Sequence, residues 1–364
     1  LAMPGFTAPK LLWVRRHEPQ NFSRLATVLL PKDYLRFKMT GKKISDMSDS
    51  AGTLWLDVGK RDWSDALLEK CELSRAAMPA LVEGCEVSAL LEPAVAQRWG
   101  LNPSVIVAGG GGDNAVSAIG VGAVSPGDAF ISLGTSGVLF VVTDAYRPAP
   151  QSAVHAFCHV LPNLWHQMSV MLSAASCLQW FCRLVGVTEL ALLEEIAQLS
   201  DAEKASAPMF LPYLSGERTP HNDPCARGMF WGLTHSSQRA LMGYAVLEGV
   251  SFGIADGLRV LQESGTQIEQ CSLVGGGARS PFWAQLLADI LAMPVVTHKG
   301  GETGGALGAA RLACLAAGKP LASVCEKPEV YKTWRSDPAR HRALMTRYQQ
   351  FNALYQNDLN YRNP

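Results

Sequence analysis

The sequence predicts an α/β fold in two domains, and three observations carry that reading. Short β-rich apolar runs alternate with helical patterns over 364 residues, a length that one core seldom serves. Two of the runs end in glycine clusters that open toward helices: residues 105–108 before the glycines at 109–112, and residues 272–274 before those at 275–277. Two further runs, residues 129–133 and 138–142, flank Gly134, Thr135, Ser136 and Gly137 as a hairpin would.

Taken in chain order, residues 10–24 predict a helix opened by Leu11, Leu12 and Trp13 and followed by charges. Residues 26–63 are short apolar runs between polar turns, and residues 78–99 mix short strands with a helix at 92–98. Asp113 and Asn114 precede a small-residue helix at 115–122. Ser125, Pro126 and Gly127 form a turn, where a domain boundary is placed. Residues 1–126 then make a first domain, 127–338 a second, and 339–364 a terminal helix. Residues 168–185 and 241–263 read as buried helices. Helices are also expected at 282–291, 305–317 and 340–361, and a strand at 295–297.

Composition narrows the function. Hydrophobic residues are 48% and charged residues 18% of the chain, and 32 basic residues balance 32 acidic ones. That balance gives no global field for nucleic acid and no polybasic run for a membrane surface. No apolar run approaches the length needed to span a bilayer. Nine cysteines without a C-x-x-C pair fit reduced thiols in a cytoplasmic protein. The first residues, LAMPGFTAPK, have neither the charged nor the apolar region of a signal peptide and do not begin with Met. The chain reads as starting in the middle of something.

Four motifs could carry chemistry. In the first, Asp113 follows a strand and four glycines. Asp at a helix start is a common cap, but a carboxylate at such a junction is also where a general base belongs in an open α/β sheet. In the second, Gly134, Thr135 and Ser136 would offer N–H and O–H donors to an anion, or form a plain hairpin turn. In the third, Gly275, Gly276, Gly277 and Ala278 lead into a helix, which suits a phosphate or the nucleoside beside it. This spacing fits neither the dinucleotide fingerprint nor a Walker loop. The fourth runs from Gly300 to Ala310, with Ala309 and Ala310 read as small residues packing closely on a sheet. His155, Cys158 and His159 stand among apolar Phe157, Val160 and Leu161, which argues for core rather than zinc. Trp165, Trp180, Trp231 and Trp283 are read as core, and the polar stretch 213–221 as structural.

The order of these motifs is more specific than any one of them. Residues 5–13 (G-F-T-A-P-K-L-L-W) resemble the first signature of the FGGY carbohydrate kinases. Residues 228–233 (G-M-F-W-G-L) with 245–249 (A-V-L-E-G) resemble the second. A-G-G-G-G-D-N, L-G-T-S-G, G-G-G-A-R-S and A-L-G-A-A fall between and after them in the family's order. Residues 46–58, 172–180 and 211–222 look like the branch that phosphorylates D-xylulose.

The resemblance implies an actin-like, ribonuclease H-like fold, with sugar on the first domain, ATP on the second, and the terminal helix returning to the first. It implies Asp113 as the base that takes the sugar hydroxyl proton, with Asn114 touching the sugar. Gly134, Thr135 and Ser136 would form a phosphate loop. Gly275, Gly276, Gly277 and Ala278 would line the adenosine pocket, and Gln179 the nucleotide site. Mg²⁺ would bridge phosphate oxygens, with no side chain assigned as its direct ligand. A homodimer is compatible with the pattern.

Departures are Leu241, where the second signature has a polar residue, and one extra glycine before Asp113. The family's D-x-G-T-S-like hairpin and Met-His-Gly-type segment do not occur in this sequence. The expectation is therefore a partial sequence of a working kinase, itself inactive or weakly active. Two other readings stay open. One is a family kinase for ribulose, glycerol or gluconate; the other is a non-catalytic nucleotide-binding remnant.

Overall fold

The computed structural model describes residues 1–299 and 304–362. Its central sheet grows from the apolar hairpin. Ala129–Leu133 (β1) and Gly137–Thr143 (β2) pair antiparallel, with Leu133 opposite Gly137. Every residue of β2 is buried, as a strand covered on both faces requires. Strands His155–Cys158 (β3) and Trp165–Met171 (β4) extend one side antiparallel, β4 next to β2. On the other side Cys271–Val274 (β5) runs parallel to β1, and Val295–His298 (β6) runs parallel to β5. Val330–Trp334 (β7) closes that edge antiparallel, giving the order β7-β6-β5-β1-β2-β4-β3. This is the ribonuclease H-like arrangement that the motif order implies.

The helices that position the site are Asp113–Gly120 (α1), Ala175–Val185 (α2), Arg239–Glu263 (α3), Pro281–Leu291 (α4), Gly304–Ala316 (α5) and Pro338–Arg362 (α6). By length and composition α3 could cross a membrane, which the sequence reading did not recognise. However, 83% of its apolar window is buried inside the protein, so it is the core helix against the sheet.

Three expectations are corrected. Residues 168–185 are not one helix: β4 ends at Met171, and α2 begins at Ala175 after Ala174 at φ −123°, ψ −101°. The strand is buried on both faces and holds polar His166, Gln167 and Ser169 inside, so no in-and-out alternation sets it apart from a buried helix. The helix expected at 10–24 is Thr7–His17, because Pro19 pushes Glu18 to φ −134° and restarts the chain as the short turn Pro19–Phe22. Trp231 is exposed rather than core, whereas Trp283 is 1% exposed.

Among the described residues the terminal helix packs on the second body, where a return to the first is expected. Its Leu344, Phe351 and Tyr355 sit in the same core as α3 and α4. Arg347 grips buried Glu248 of α3 through both carboxylate oxygens, at 2.7 and 2.6 Å. Arg362 pairs with Asp223 at 2.7 Å.

The first body is built on short strand pairs around Trp55, Trp63 and Leu68. Ile44–Asp46 pairs parallel with Ala80–Val82, and Val87–Leu90 pairs antiparallel with Ile106–Ala108. Phe157 of β3 and Trp165 of β4 pack against this cluster. The other joint is a helix crossing, α1 on α5. A side chain on Gly120 would overlap the Gly304 carbonyl, and one on Gly308 would overlap the Val116 carbonyl. Small residues of α5 therefore serve a helix contact rather than a sheet, and Ala309 and Ala310 are exposed.

Adding one methyl at the crossing forces the helices apart. Gly308→Ala should destabilise the protein by about 1–3 kcal/mol in urea unfolding, as overpacking does. At Gly305 the nearest atom to an added Cβ is Ser117 Oγ at 3.6 Å. Gly305→Ala should therefore be neutral or stabilising by about 0.5–1 kcal/mol.

Candidate functional site

The four-glycine loop follows the strand Ile106–Ala108 and turns under two close contacts. A side chain on Gly109 would strike the Glu83 carbonyl, and one on Gly111 would strike Val160. Gly112, not Asp113, is the N-cap residue of α1. Asp113 is the first residue of the helix and is exposed. Its Oδ1 accepts from the Asn114 backbone N–H at 2.7 Å and from Asn114 Nδ2 at 3.0 Å. Among the described residues no lysine or arginine pairs with this carboxylate. The capping role falls away, and what stands at the junction is an open proton acceptor.

On the second body, the Gly134 and Thr135 carbonyls accept from the Ala175 and Ala174 amides at 2.8 and 2.9 Å. Ser176 Oγ donates to the Thr135 carbonyl at 2.8 Å. The acceptors of the turn are thus spent on the start of α2. Thr135 and Ser136 are exposed, and among the described residues their amides and hydroxyls donate to no protein acceptor. That leaves a donor-rich tip suited to an anion.

The triple-glycine loop packs on the root of this hairpin. Gly275, at φ +86°, comes so near the Leu133 carbonyl that a Cβ would sit 2.9 Å from its oxygen. Gly277 is buried under the Leu133 side chain, and Ala278 is half-buried. The start of α4 is already capped, since Ser280 accepts from Trp283 N at 3.2 Å. The exposed backbone of Gly275 and Gly276, rather than the α4 terminus, is what the loop offers a ligand.

A cleft of about 330 Å³ joins three motifs: Asn114 and Ser117 of α1, Gly275 and Gly276, and Gly304 and Gly305 of α5. Asp113, Gly134, Thr135, Ser136, Gly277 and Ala278 do not line it. Gln179 lies on the exposed face of α2, one turn beyond Ser176. Residues 300–303 of the fourth motif lie outside the described residues. His155, Cys158 and His159 are buried, and among the described residues no group of three or more His, Cys, Asp or Glu is placed to hold a metal.

Sequence reasoning missed a partly buried charge cluster beneath the four-glycine loop. The Lys32 ammonium stands 2.6 Å from Asp33, 2.6 Å from Asp46 and 3.5 Å from Asp49. Burial would lower its pKa, yet the three carboxylates hold it above the ordinary lysine value. Burial, opposed by Lys32 and aided by Asp46 and Asp33, pushes Asp49 up to about 6. Only the D-M-S-D spacing at residues 46–49 hinted at this.

The profile of the N-terminal domain of the FGGY family of carbohydrate kinases matches residues 1–120, and that of the C-terminal domain matches residues 129–317. Xylulose kinase of Escherichia coli (strain K12) is 53% identical over 358 residues, covering 98% of this chain and 74% of that protein. Xylulose kinase of Klebsiella pneumoniae is 55% identical over 316 residues, covering 87% of this chain and 65% of that protein. Among solved structures, a Brucella ovis enzyme described as a xylulose kinase superposes with TM-score 0.94 at 51% identity, over 98% of this chain and 73% of that one. Plasmodium falciparum glycerol kinase with ADP superposes with TM-score 0.81 at 19% identity, which shows the fold alone.

Glu217, in the polar stretch 213–221, ties this site to the core. Its Oε1 accepts from the Leu172 amide at 2.9 Å and the Arg218 amide at 2.7 Å, just upstream of the turn into α2. Burial pushes its carboxyl up to about 8, against the pull of those two amides. The folded state therefore keeps a proton that the unfolded chain loses near 4.5, and the stability present below that pH drains away as pH rises through 8. Glu217→Gln should raise the Tm at about pH 9 and leave it unchanged near pH 4 in thermal unfolding.

Proposed function

The chain belongs to the FGGY family of carbohydrate kinases, and on that premise we propose that it transfers the γ-phosphoryl group of ATP to D-xylulose, giving D-xylulose 5-phosphate. The observation that carries the reading is Asp113. It is an exposed carboxylate with no cation partner among the described residues, next in the chain to Asn114, which lines the cleft shared with the nucleotide-side glycines.

Asp113 takes the proton from the attacking sugar hydroxyl as the O–P bond forms. Asn114 faces the same cleft and orients the sugar. The open amides of Thr135 and Ser136, on the turn led by Gly134, receive phosphate oxygens. The exposed backbone of Gly275 and Gly276 borders the nucleoside, with Ala278 and buried Gly277 shaping the loop, and Gln179 stands at the rim on α2. Mg²⁺, if bound with the nucleotide, would supply positive charge to neutralise the phosphates, and no side chain here is assigned as its direct ligand. All nine cysteines are free, which suits the reducing cytoplasm.

D-xylulose as the acceptor is supported by the identity to the two xylulose kinases. The three segments that resemble that branch also brace the loops named above or one another. Ser48 reaches Gly112, Ala174 and Ala175 hold the hairpin, and Glu217 braces Leu172.

A coupled ADP-release assay with Mg-ATP tests this on D-xylulose, D-ribulose, L-ribulose, gluconate and glycerol. Turnover is expected to be highest with D-xylulose and to fall by about 10²–10⁴-fold in Asp113→Ala, the range a lost general base accounts for. Preference for another acceptor, or undiminished turnover in the variant, would overturn the substrate or the base respectively.

A further inference from the structure

The reading of Asp113 as the base raises the question of what fixes the loop that presents it. We infer that Arg36 and Ser48 are positioning residues that clamp the two ends of the four-glycine loop to one buried charge network. Arg36 holds the entry. Its Nη1 donates to the Gly109 carbonyl and, at 3.5 Å, to the Ala108 carbonyl. Its Nη2 donates to the Ile44 carbonyl at 2.7 Å and pairs with Asp33 at 2.5 Å.

Ser48 holds the exit. The Gly112 amide donates to Ser48 Oγ at 3.0 Å, and that hydroxyl donates to Asp46 Oδ2 at 2.5 Å. The short bond to a carboxylate fixes the hydroxyl proton, so its lone pairs stay turned to Gly112. Asp46 is immobilised in turn by the Ser48 and Asp49 amides, at 2.8 and 3.0 Å. Lys32 spans Asp33 and Asp46, joining the entry clamp to the exit clamp.

The backbone fixes only the first half of the loop, through Gly109 N to the Glu86 carbonyl at 2.9 Å and Gly110 N to the Gly84 carbonyl at 3.0 Å. Among the described residues, the next main-chain bond is Val116 N to the Gly112 carbonyl at 2.9 Å, already inside α1. Between these points the Ser48 hydroxyl is, among the described residues, the sole hydrogen-bond tether outside the loop, one residue before Asp113. A base displaced by about 1 Å loses on the order of 10²-fold in rate, so this tether acts on chemistry as well as on folding.

The test compares Ser48→Ala and Arg36→Lys with the unaltered full chain by hydrogen-exchange mass spectrometry and by steady-state kinetics. In Ser48→Ala, amides over residues 110–114 should exchange about tenfold faster while those of α4 stay unchanged, as local rather than global opening predicts. Its kcat should fall by about 10–100-fold with KM for ATP within about twofold. Arg36→Lys should act in the same direction, with faster exchange beginning at residue 109, and it stands in if Ser48→Ala does not fold. Unchanged exchange over 109–114, or acceleration spread evenly over both bodies, would overturn the inference whatever the kinetics. If the unaltered chain phosphorylates no sugar while the variants open the loop, the clamp stands and the proposed reaction falls.

Discussion

The architecture of the site depends on how closely α1 and α5 approach. α1 ends the first body and α5 belongs to the second, and they touch backbone to backbone at Gly120 with Gly304 and at Gly308 with Val116. That approach sets Asn114 and Ser117 against Gly304 and Gly305 across one cleft. Around the contact, Ala115, Val116, Ile119, Val160, Leu161 and Leu312 form a dry seal. Arg311 closes its end by donating to the Ile119 and Gly120 carbonyls at 2.8 and 3.0 Å, a cation at a helix C-terminus. Longer side chains at the two glycines would hold the bodies apart, and Asn114 and Ser117 would no longer share one cleft with Gly304 and Gly305.

Given that joint, the chain sorts its polar groups by side. On the second body the acceptors are consumed: the Gly134 and Thr135 carbonyls bind the start of α2, and the turn shows donors outward. On the first body an acceptor is left open, the carboxylate of Asp113, while the cations nearest its loop, Lys32 and Arg36, are spent on Asp33, Asp46 and Asp49. Donors suited to an anion thus stand on one body and an open carboxylate on the other, with no hydrogen bond between them among the described residues. That polarity is what phosphoryl transfer asks of a scaffold that does little covalent chemistry.

Much of this was legible in the sequence, because strand ends, glycine turns and helix starts are local signals. The hairpin around Gly134 and the loop before Asp113 stand where period and punctuation put them. What could not be read was anything decided at long range. Residues 168–185 hid a strand because β4 is buried on both faces. The destination of α6 depends on Glu248, Asp256 and Asp223, roughly a hundred residues or more upstream, and no pattern within 340–361 points to them. The sequence allows Asp113 as a cap or a base, and a single residue of register removes the first: Gly112 takes the capping position.

The charge cluster under the loop shows the same limit from its energetic side. Ser48 and Gly112 lie 64 residues apart, and Arg36 and Gly109 lie 73 apart, so only the folded chain brings them together. Lys32 and three carboxylates in a largely buried place carry a desolvation cost that hydrophobic packing of the same volume would avoid. Such a cluster does supply direction, since each of its hydrogen bonds fixes a donor against an acceptor. The two sides of the cleft are accordingly held by different means. The turn at Gly134 and the triple-glycine loop rest on backbone carbonyls and close glycine approach, which side-chain changes scarcely touch. The loop that carries Asp113 rests on a side-chain network that reaches it through Arg36 and the Ser48 hydroxyl. Substitutions around that network can therefore move the loop that carries Asp113 while the glycine turns of the second body keep their shape.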